Sequence, residues 1–297
     1  VEYDKENKRA SGVNVVNSKT NEFSRLNARI IFLCASTLGT TQIMLNSKSE
    51  SFPNGIANSS GVLGHYLMDH IFESGANGVY PGFQDKYFRG RRPNGIYIPR
   101  YHNIDKKDDR FLRGFGFQGG GKRPGWKRGR AIKGLGVDLK EQLKRPGPWT
   151  FSLGGFGEML PDKRNKVWLD QKQKDKWGIP ILNIECVLRE NELKMLKVMA
   201  EDAKEMLEAS GMVDVTTYNN SAPPGLAIHE MGTARMGRDP NTSVLNKHNQ
   251  CHDVPNLFIT DGSCMTSSAC QNPSLTYMAL TARAADSAVE MLQEGRI

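Results

Sequence analysis

The segment QNPSLTYMALTARAADSAVEMLQEG, residues 271–295, predicts a long helix. Asn272 is a preferred N-cap residue, and Pro273 suits the first helical position because no N–H partner is needed there. An apolar face at helical spacing is formed by Leu275, Met278, Ala282, Ala285 and Val289. We therefore expect a helix over residues 273–293 that buries this face.

A short apolar strand, Leu257–Ile259, precedes that helix and ends at Asp261 and Gly262. The segment ARIIFLCASTLGTTQIMLNS, residues 28–47, repeats the order of strand, turn and helix, with Thr37 at the N-cap. Strands that are each followed by a helix are typical of an α/β layer, as in nucleotide-binding domains.

The middle of the chain has a different character. GIYIPRY (residues 95–101), WTFSLGGF (149–156) and WGIPILNIECVL (177–188) predict strands of a mostly antiparallel sheet. Residues 190–210 carry apolar side chains at helical spacing and end before Gly211, which suits a helix C-terminus. We expect this helix to cover the sheet.

Composition narrows the function classes. Of the 297 residues, 38% are hydrophobic, which is typical of a globular protein rather than a disordered one. The apolar runs fall short of the roughly 18 residues that a membrane-spanning helix needs. The net charge of +8 favours anionic ligands or acidic partners, and its densest stretch is GKRPGWKRGRAIK, residues 121–133. We interpret that stretch as a solvated basic loop, with nucleic-acid binding as the alternative. The five scattered cysteines predict neither a disulfide framework nor a standard zinc site.

The segment GFGFQG, residues 114–119, matches the GxGxxG dinucleotide fingerprint by letter. That fingerprint binds pyrophosphate only between a buried strand and a helix, and the flanking residues predict neither element. The overlapping P-loop pattern fails because Arg123 stands where Ser or Thr must hold magnesium. We therefore predict a glycine-rich loop or strand edge here.

The segment HEMGTARMG, residues 229–237, places one histidine in a short loop rich in glycine and methionine. The N–H groups at a helix N-terminus, such as that predicted near Asn272, stabilise an anion, and a reduced flavin is one. A histidine beside a flavin can take a proton from an alcohol while hydride passes to the flavin. Because lone histidines are more often structural, this interpretation depends on pairing His229 with Asn272.

Three blocks resemble the C-terminal signature of the glucose–methanol–choline (GMC) oxidoreductases, which are FAD-dependent alcohol oxidases and dehydrogenases. They are HEMGTARMG (229–237), NLFITDGS (256–263) and NPSLTYMALTARAAD (272–286). RIIFLCASTLGTTQIMLNS resembles the strand and helix beside the ADP part of FAD. GVLGHYLMDH resembles the family's GxNLxDH segment, and VWLDQKQKDKWGIPIL resembles a strand region of its substrate domain. The chain is most similar to sugar-directed members: gluconate and fructose dehydrogenase flavoprotein subunits, glucoside 3-dehydrogenases and pyranose oxidases.

The resemblance implies a catalytic pair. His229 matches the family's catalytic histidine, the base for the substrate hydroxyl. Asn272 matches the second member, which is a histidine in many relatives; an asparagine orients the substrate by hydrogen bonds but is no base near neutral pH. No metal site is implied. The implied FAD contacts are Ala35, Ser36, Asp261, Gly262, Asn272, Pro273 and Thr276, although relatives often have glycine around Ser36.

The resemblance also implies a fold. We expect an α/β plus α+β architecture, with an incomplete FAD-binding Rossmann-like layer and an antiparallel-sheet substrate domain covered by helices. Residues 1–70 are expected to form part of the FAD-binding domain, residues 71–226 the substrate-binding domain, and residues 227–297 the return to the FAD-binding domain. The relatives carry a GxGxxG segment in a first βαβ unit that has no counterpart here, so the chain resembles the C-terminal half of such an enzyme.

The expected activity is oxidation of a CH–OH group of a sugar or polyol by hydride transfer to FAD. The expected partners are that substrate, an electron acceptor such as a quinone, cytochrome or dye, and a small or cytochrome subunit; nucleic acid and a transmembrane segment are not expected. Three alternatives stay open: a GMC enzyme for a non-sugar alcohol, a non-catalytic basic binding module around residues 121–133, and a pseudo-enzyme.

Overall fold

The computed structural model describes residues 1–86 and 95–297. In chain order, its strands are β1 (Glu2–Asp4), β2 (Arg9–Val16), β3 (Phe23–Asn27), β4 (Ile31–Leu33), β5 (His70–Ile71), β6 (Ser74–Tyr80), β7 (Gly95–Ile98), β8 (Phe115–Lys122), β9 (Trp149–Glu158), β10 (Lys166–Lys174), β11 (Pro180–Glu185), β12 (Val213–Asn219) and β13 (Leu257–Ile259). Its α-helices are α1 (Thr37–Asn46), α2 (Gly136–Lys144), α3 (Glu190–Ala209) and α4 (Ser274–Gln293), and 3₁₀ turns lie at Trp126–Arg130 and Gly262–Cys264. The fold is mixed α/β with antiparallel sheets.

The chain divides into two compact units. The first unit consists of Val1–His70, Met159–Val187 and Pro224–Ile297, and the second of Ile71–Glu158 and Leu188–Pro223. The segment Met159–Val187, which lies inside the predicted middle domain of residues 71–226, therefore belongs to the first unit. Its strands β10 and β11 pair with each other, and the Gln42 side chain of α1 donates to the Pro180 carbonyl of β11 at 2.9 Å.

In the first unit, β4 and β13 form a parallel pair in which Ile31 lies opposite Leu257 and Leu33 opposite Ile259. The predicted strand at Leu257–Ile259 is thus confirmed, and all three of its residues are buried. An α-helix follows each strand, α1 after β4 and α4 after β13, as the sequence pattern predicts. A separate antiparallel sheet has the order β1, β2, β3.

The side chain of Asn256 joins three parts of this unit. Its carbonyl oxygen accepts from the Ala10 amide at 2.8 Å, and its amide group donates to the Ala10 and Arg29 carbonyls at 2.7 and 2.8 Å. Asn256 is fully buried, so water cannot replace these bonds. One side chain therefore sets the positions of β2, the entry to β4 and the start of β13.

Helix α4 confirms the helix expected over residues 273–293, but the prediction of its buried face is wrong. Ala284 and Ala288 are buried against Phe258 of β13, and these small side chains let the helix approach the strand closely. Leu275 and Met278, on the predicted face, are 77% and 68% exposed. The periodicity showed an apolar stripe but not which side the neighbouring strand would cover. The predicted N-caps also shift by one residue each, to Ser36 for α1 and Pro273 for α4.

The second unit is a twisted antiparallel sheet with the order β12, β6, β9, β8, β7, to which the two-residue β5 adds by pairing with β9. Helix α3 packs on it, and Gly157 permits the contact because a Cβ there would lie 2.4 Å from the Met199 methyl carbon. The GFGFQG segment lies largely within β8, between β7 and β9. The prediction that it is not a dinucleotide fingerprint is therefore supported by its place in a sheet. Among the described residues, no helix has the length and hydropathy to cross a bilayer.

Replacing Asn256 with alanine is expected to lower the free energy of unfolding by about 3 kcal/mol, because the buried amide and carbonyl of Ala10 and the partly buried carbonyl of Arg29 lose their partner. Urea denaturation measures this change. The matched control is Asn14→Ala, since Asn14 is exposed and its side chain donates to Glu2 of the neighbouring strand in a solvent-exposed hydrogen bond of 2.8 Å; we expect a change within about 0.5 kcal/mol there. Equal effects of the two substitutions would contradict the assigned role of Asn256.

Candidate functional site

The loop that precedes and contains His229 is held by the carboxylate of Asp69. Asp69 is 1% exposed. One carboxylate oxygen accepts from the amides of Gly225 at 2.6 Å and Ala227 at 3.3 Å, and the other from His229 at 3.1 Å and His70 at 2.8 Å. Four N–H dipoles that point at one ionised group compensate its buried charge. The backbone of His229 is thereby fixed relative to residue 69.

The next residues of the loop pair with the segment before Asp69. Met68 and Met231 exchange two backbone hydrogen bonds of 2.9 Å, and the Gly64 amide donates to the Thr233 carbonyl at 2.7 Å. Gly232 has a φ of 99°, and a Cβ there would lie 2.3 Å from the Tyr66 carbonyl oxygen. The absence of a side chain at Gly232 therefore lets the two chain segments pass closely.

These two anchors bring His229 next to His70, a residue that the sequence did not single out. The two Nδ1 atoms are 2.9 Å apart, and the rings meet edge to face at a centroid distance of 4.8 Å. The Nε2 atom of His70 is hydrogen-bonded to the Ala269 carbonyl. The signal in the sequence was the GVLGHYLMDH segment, whose last residue is His70, but nothing local predicted that it would contact a residue 159 positions away.

The chain of hydrogen bonds fixes the protonation pattern of this pair. A carbonyl oxygen only accepts, so His70 carries its proton on Nε2. Burial, together with the adjacent His229, lowers the pKa of His70 to about 4, so its ring is neutral near pH 7 and Nδ1 is an acceptor. His229 must then donate from Nδ1, which leaves the lone pair of its Nε2 atom available. This is the tautomer that a base acting through Nε2 requires.

A second cluster forms around Asp261 and Gly262. The Asp261 carboxylate accepts from the Ser263 amide at 3.0 Å, from the Ser263 hydroxyl at 2.5 Å, and from the Thr40 hydroxyl. A Cβ on Gly262 would lie 2.5 Å from the Glu230 carbonyl oxygen and 2.6 Å from Thr37 Oγ1. The start of α1, the strand end at Asp261 and the residue after His229 therefore converge at Gly262.

Helix α4 reaches the same point through Tyr277. Its hydroxyl would lie 3.0 Å from a Cβ on Gly262, and this hydroxyl is buried with no hydrogen-bond partner among residues 1–86 and 95–297. Burial raises the pKa of Tyr277, and the nearby Cys264 and Asp261 raise it further, so the hydroxyl stays protonated. A buried hydroxyl without a partner is a donor available to a ligand.

The other predicted site residues lie around these two clusters. Ala35 and Ser36 are exposed at the turn between β4 and α1, where Ser36 has a φ of 65° and the Ala35 amide donates to Thr40 at 3.0 Å. Asn272 and Thr276 are exposed at the start of α4, and Pro273 is buried. Asn272 follows the His70 acceptor Ala269 by three residues, so the segments that carry the predicted pair meet at His70.

Comparison with known proteins shows which family the C-terminal part of the chain matches. Residues 161–281, which include His229, Asp261 and Asn272, match the GMC oxidoreductase family. This part of the chain belongs to the GMC oxidoreductases. Their cofactor is FAD. The resemblance inferred from the three C-terminal blocks is confirmed.

Two relatives align along nearly the whole chain. A 2-methyl-1,2-propanediol dehydrogenase from Mycolicibacterium austroafricanum is 33% identical over 94% of this chain and 51% of its own length. The large subunit of a fructose dehydrogenase from Gluconobacter japonicus is 26% identical over 91% of this chain and 49% of its own length. The chain thus spans about half the length of these relatives.

Solved GMC-type structures share the fold. Formate oxidase from Aspergillus oryzae RIB40 superposes with a TM-score of 0.64 at 13% identity, over 98% of this chain and 59% of that one. A pyridoxine 4-oxidase from Mesorbium loti gives a TM-score of 0.58 at 16% identity, over 97% of this chain and 56% of that one.

The low pKa of His70 has a consequence for stability. Between pH 6.5 and about 4, the unfolded chain binds a proton at this residue that the folded protein does not bind. The free energy of unfolding therefore falls as the pH falls through this window, by about 3 kcal/mol in full, and this contribution is constant outside it. The His70→Asn variant should lack this component in a series of urea denaturations.

The matched control for that series is His65→Asn, because His65 lies five residues away and is bonded to the Lys163 carbonyl at 2.8 Å. A pH-dependent component that His70→Asn loses and this control keeps would be assigned to His70. A His70→Asn variant with the same pH dependence as the parent protein would show that His70 is protonated equally in both states.

Proposed function

We propose that this chain carries the proton-transfer site of an FAD-dependent oxidoreductase that oxidises a CH–OH group. The observation that carries the proposal is the hydrogen-bond chain from the Ala269 carbonyl through His70 to His229. It leaves Nε2 of His229 as the basic atom of a half-buried ring, which is what a general base for an alcohol needs. Membership of the GMC oxidoreductases supports the same role for His229.

The residues present fit one side of a flavin site. Leu226 and Ile228, close to His229, are 59% and 77% exposed, and Leu275 and Met278 of α4 are also exposed. Exposed apolar side chains of this size on two segments that flank a polar cluster are typical of a surface that a ring system or another domain covers. Bound FAD would supply the hydride acceptor.

The rest of the predicted FAD contacts are proposed with distinct tasks. Ala35 and Ser36 would face the ADP part at the exposed turn before α1, where the N–H groups of a helix N-terminus favour an anion. Asp261 and Gly262 would act indirectly, because they fix the positions of Thr40 and of the loop after His229. Pro273 and Thr276, at the start of α4, would lie beside the flavin ring, with the Tyr277 hydroxyl as a further donor.

In the proposed reaction, the substrate hydroxyl donates its proton to Nε2 of His229. The positive charge that forms on His229 is shared with its Nδ1–H, which continues to donate to the neutral His70. Asn272 would orient the substrate through its side-chain amide. The carbon that bears this hydroxyl loses a hydride as its C=O bond forms, and bound FAD would be the hydride acceptor. The proton and the hydride together amount to two protons and two electrons lost by the substrate.

For the substrate we propose a sugar or polyol. The named substrates of the two aligned relatives, fructose and 2-methyl-1,2-propanediol, both carry a hydroxyl next to another hydroxyl-bearing carbon. The diol relative is also the observation that favours the second candidate, a small non-sugar alcohol. We further propose a quinone, cytochrome or dye as electron acceptor, with a small or cytochrome subunit as partner, in line with the dehydrogenase relatives.

Replacing His229 with glutamine is expected to slow flavin reduction by about 100- to 10,000-fold, because the amide cannot accept the hydroxyl proton. The measurement is anaerobic stopped-flow bleaching of the FAD-loaded protein with fructose and with 1,2-propanediol. The control is His65→Gln, which should reduce its flavin at the parent rate. Flavin reduction that is unchanged in the His229→Gln protein would overturn the proposed base.

A second prediction concerns His70, which we propose as a positioning residue. Nitrogen-15 NMR of the histidine rings should show His229 protonated on Nδ1 in the parent protein. His70→Asn should preserve that tautomer, because its side-chain oxygen can accept in place of Nδ1, whereas His70→Leu should shift His229 towards protonation on Nε2. Flavin reduction should fall in the leucine variant by about tenfold more than in the asparagine variant. A His229 tautomer that is the same in all three proteins would contradict this role.

A further inference from the structure

The positive charge of the chain is concentrated in one surface segment, residues 122–145. It carries nine lysine and arginine residues against two carboxylates, a net +7 out of the +8 of the whole chain. The exposed cations include Lys122, Lys127, Arg130, Lys133, Lys140 and Arg145. None of these residues has a part in the proposed oxidoreductase site.

This basic segment has a defined structure. The Arg128 guanidinium donates to the Pro124 carbonyl at 3.1 Å, to the Gln142 carbonyl at 2.7 Å, and to the Arg145 carbonyl. It therefore ties the 3₁₀ turn Trp126–Arg130 to the end of α2. The Leu143 side chain packs on Gly129, where a Cβ would lie 3.1 Å from its Cδ1 atom. The segment thus presents a fixed outer surface rather than a free tail.

Large apolar side chains project from that outer surface among the cations. Trp126 is 83% exposed, Leu135 is 87% exposed and Val137 is 71% exposed. Each lies within three residues of an exposed lysine, and α2 buries none of its residues. Apolar side chains that are this exposed and lie among cations indicate a surface that binds a membrane or another protein.

We propose that residues 122–145 bind the surface of an anionic phospholipid bilayer. Tryptophan is favoured at the headgroup level, aliphatic side chains enter the acyl boundary, and flanking lysine and arginine side chains attract anionic headgroups. Nucleic acid fits the charge but not the apolar residues, because Leu135 and Val137 have no planar face on which a base can stack. The proposal is independent of the oxidoreductase function and concerns peripheral contact only.

The experiment is sedimentation of the whole protein with vesicles of phosphatidylglycerol and phosphatidylcholine, compared with vesicles of phosphatidylcholine alone. We expect binding to the anionic vesicles that weakens with added salt. Loss of the charges in Lys127→Ser/Arg130→Ser/Lys133→Ser should weaken it by about 100-fold, at roughly fivefold for each cation. Trp126→Ser/Leu135→Ser should weaken it by about tenfold at constant charge.

The matched control is Lys19→Ser/Lys172→Ser/Lys174→Ser, which removes the same charge from exposed positions outside the segment. Its affinity should stay close to that of the parent protein. Absence of binding to anionic vesicles, or equal losses in the two triple variants, would overturn the proposal. Retention of a double-stranded DNA oligonucleotide that is as tight as vesicle binding and unaffected by Trp126→Ser/Leu135→Ser would assign the surface to nucleic acid instead.

Discussion

A single buried carboxylate, Asp69, organises the candidate site. It accepts from four backbone amides, three of them on the loop that leads to His229 and one on His70. A charge in this position is stable only while those N–H groups point at it. Conversely, a movement of the loop would remove its hydrogen bonds to the carboxylate and leave a buried charge without donors. The two histidines are therefore held at hydrogen-bond distance by an electrostatic constraint that neither of them supplies.

The hydrogen-bond partner of His229 is a histidine and not a carboxylate, and this difference affects how strongly the protonated form of His229 is stabilised. A carboxylate in that position would orient the ring and would also stabilise its protonated form. A neutral His70 orients the ring through the same atom without adding a negative charge, and its own proton is fixed by the Ala269 carbonyl. His70 thus orients the ring of His229 without adding a negative charge that would stabilise its protonated form. In the proposed reaction, the partner of His229 would therefore add no negative charge near a bound flavin.

Local patterns predicted much of the fold and less of the site. The strand Leu257–Ile259 and helices α3 and α4 follow from short-range periodicity and end signals, which the sequence carries in full. The buried face of α4 was not predictable, because Ala284 and Ala288 are chosen by contact with Phe258 of the neighbouring strand. Likewise, the sequence of β10 and β11 does not show that they pack with α1 in the first unit. His229 was found through its motif, but its partner His70 depends on a contact between distant segments.

The long sequence separation of the contacts that Asn256 makes affects how the chain folds during synthesis. Its side chain bonds to Ala10, 246 residues earlier in the chain, and β4 pairs with β13 across a comparable separation. Among the described residues β4 pairs with β13 alone, so during synthesis this pair can form only after residue 259 has left the ribosome. Contacts of such long range are slow to form, and the unpaired edge is open to association meanwhile. The strands within residues 71–158 and 188–223 pair with one another, and all of them are synthesised before β13. This sheet can therefore form before β13 pairs with β4.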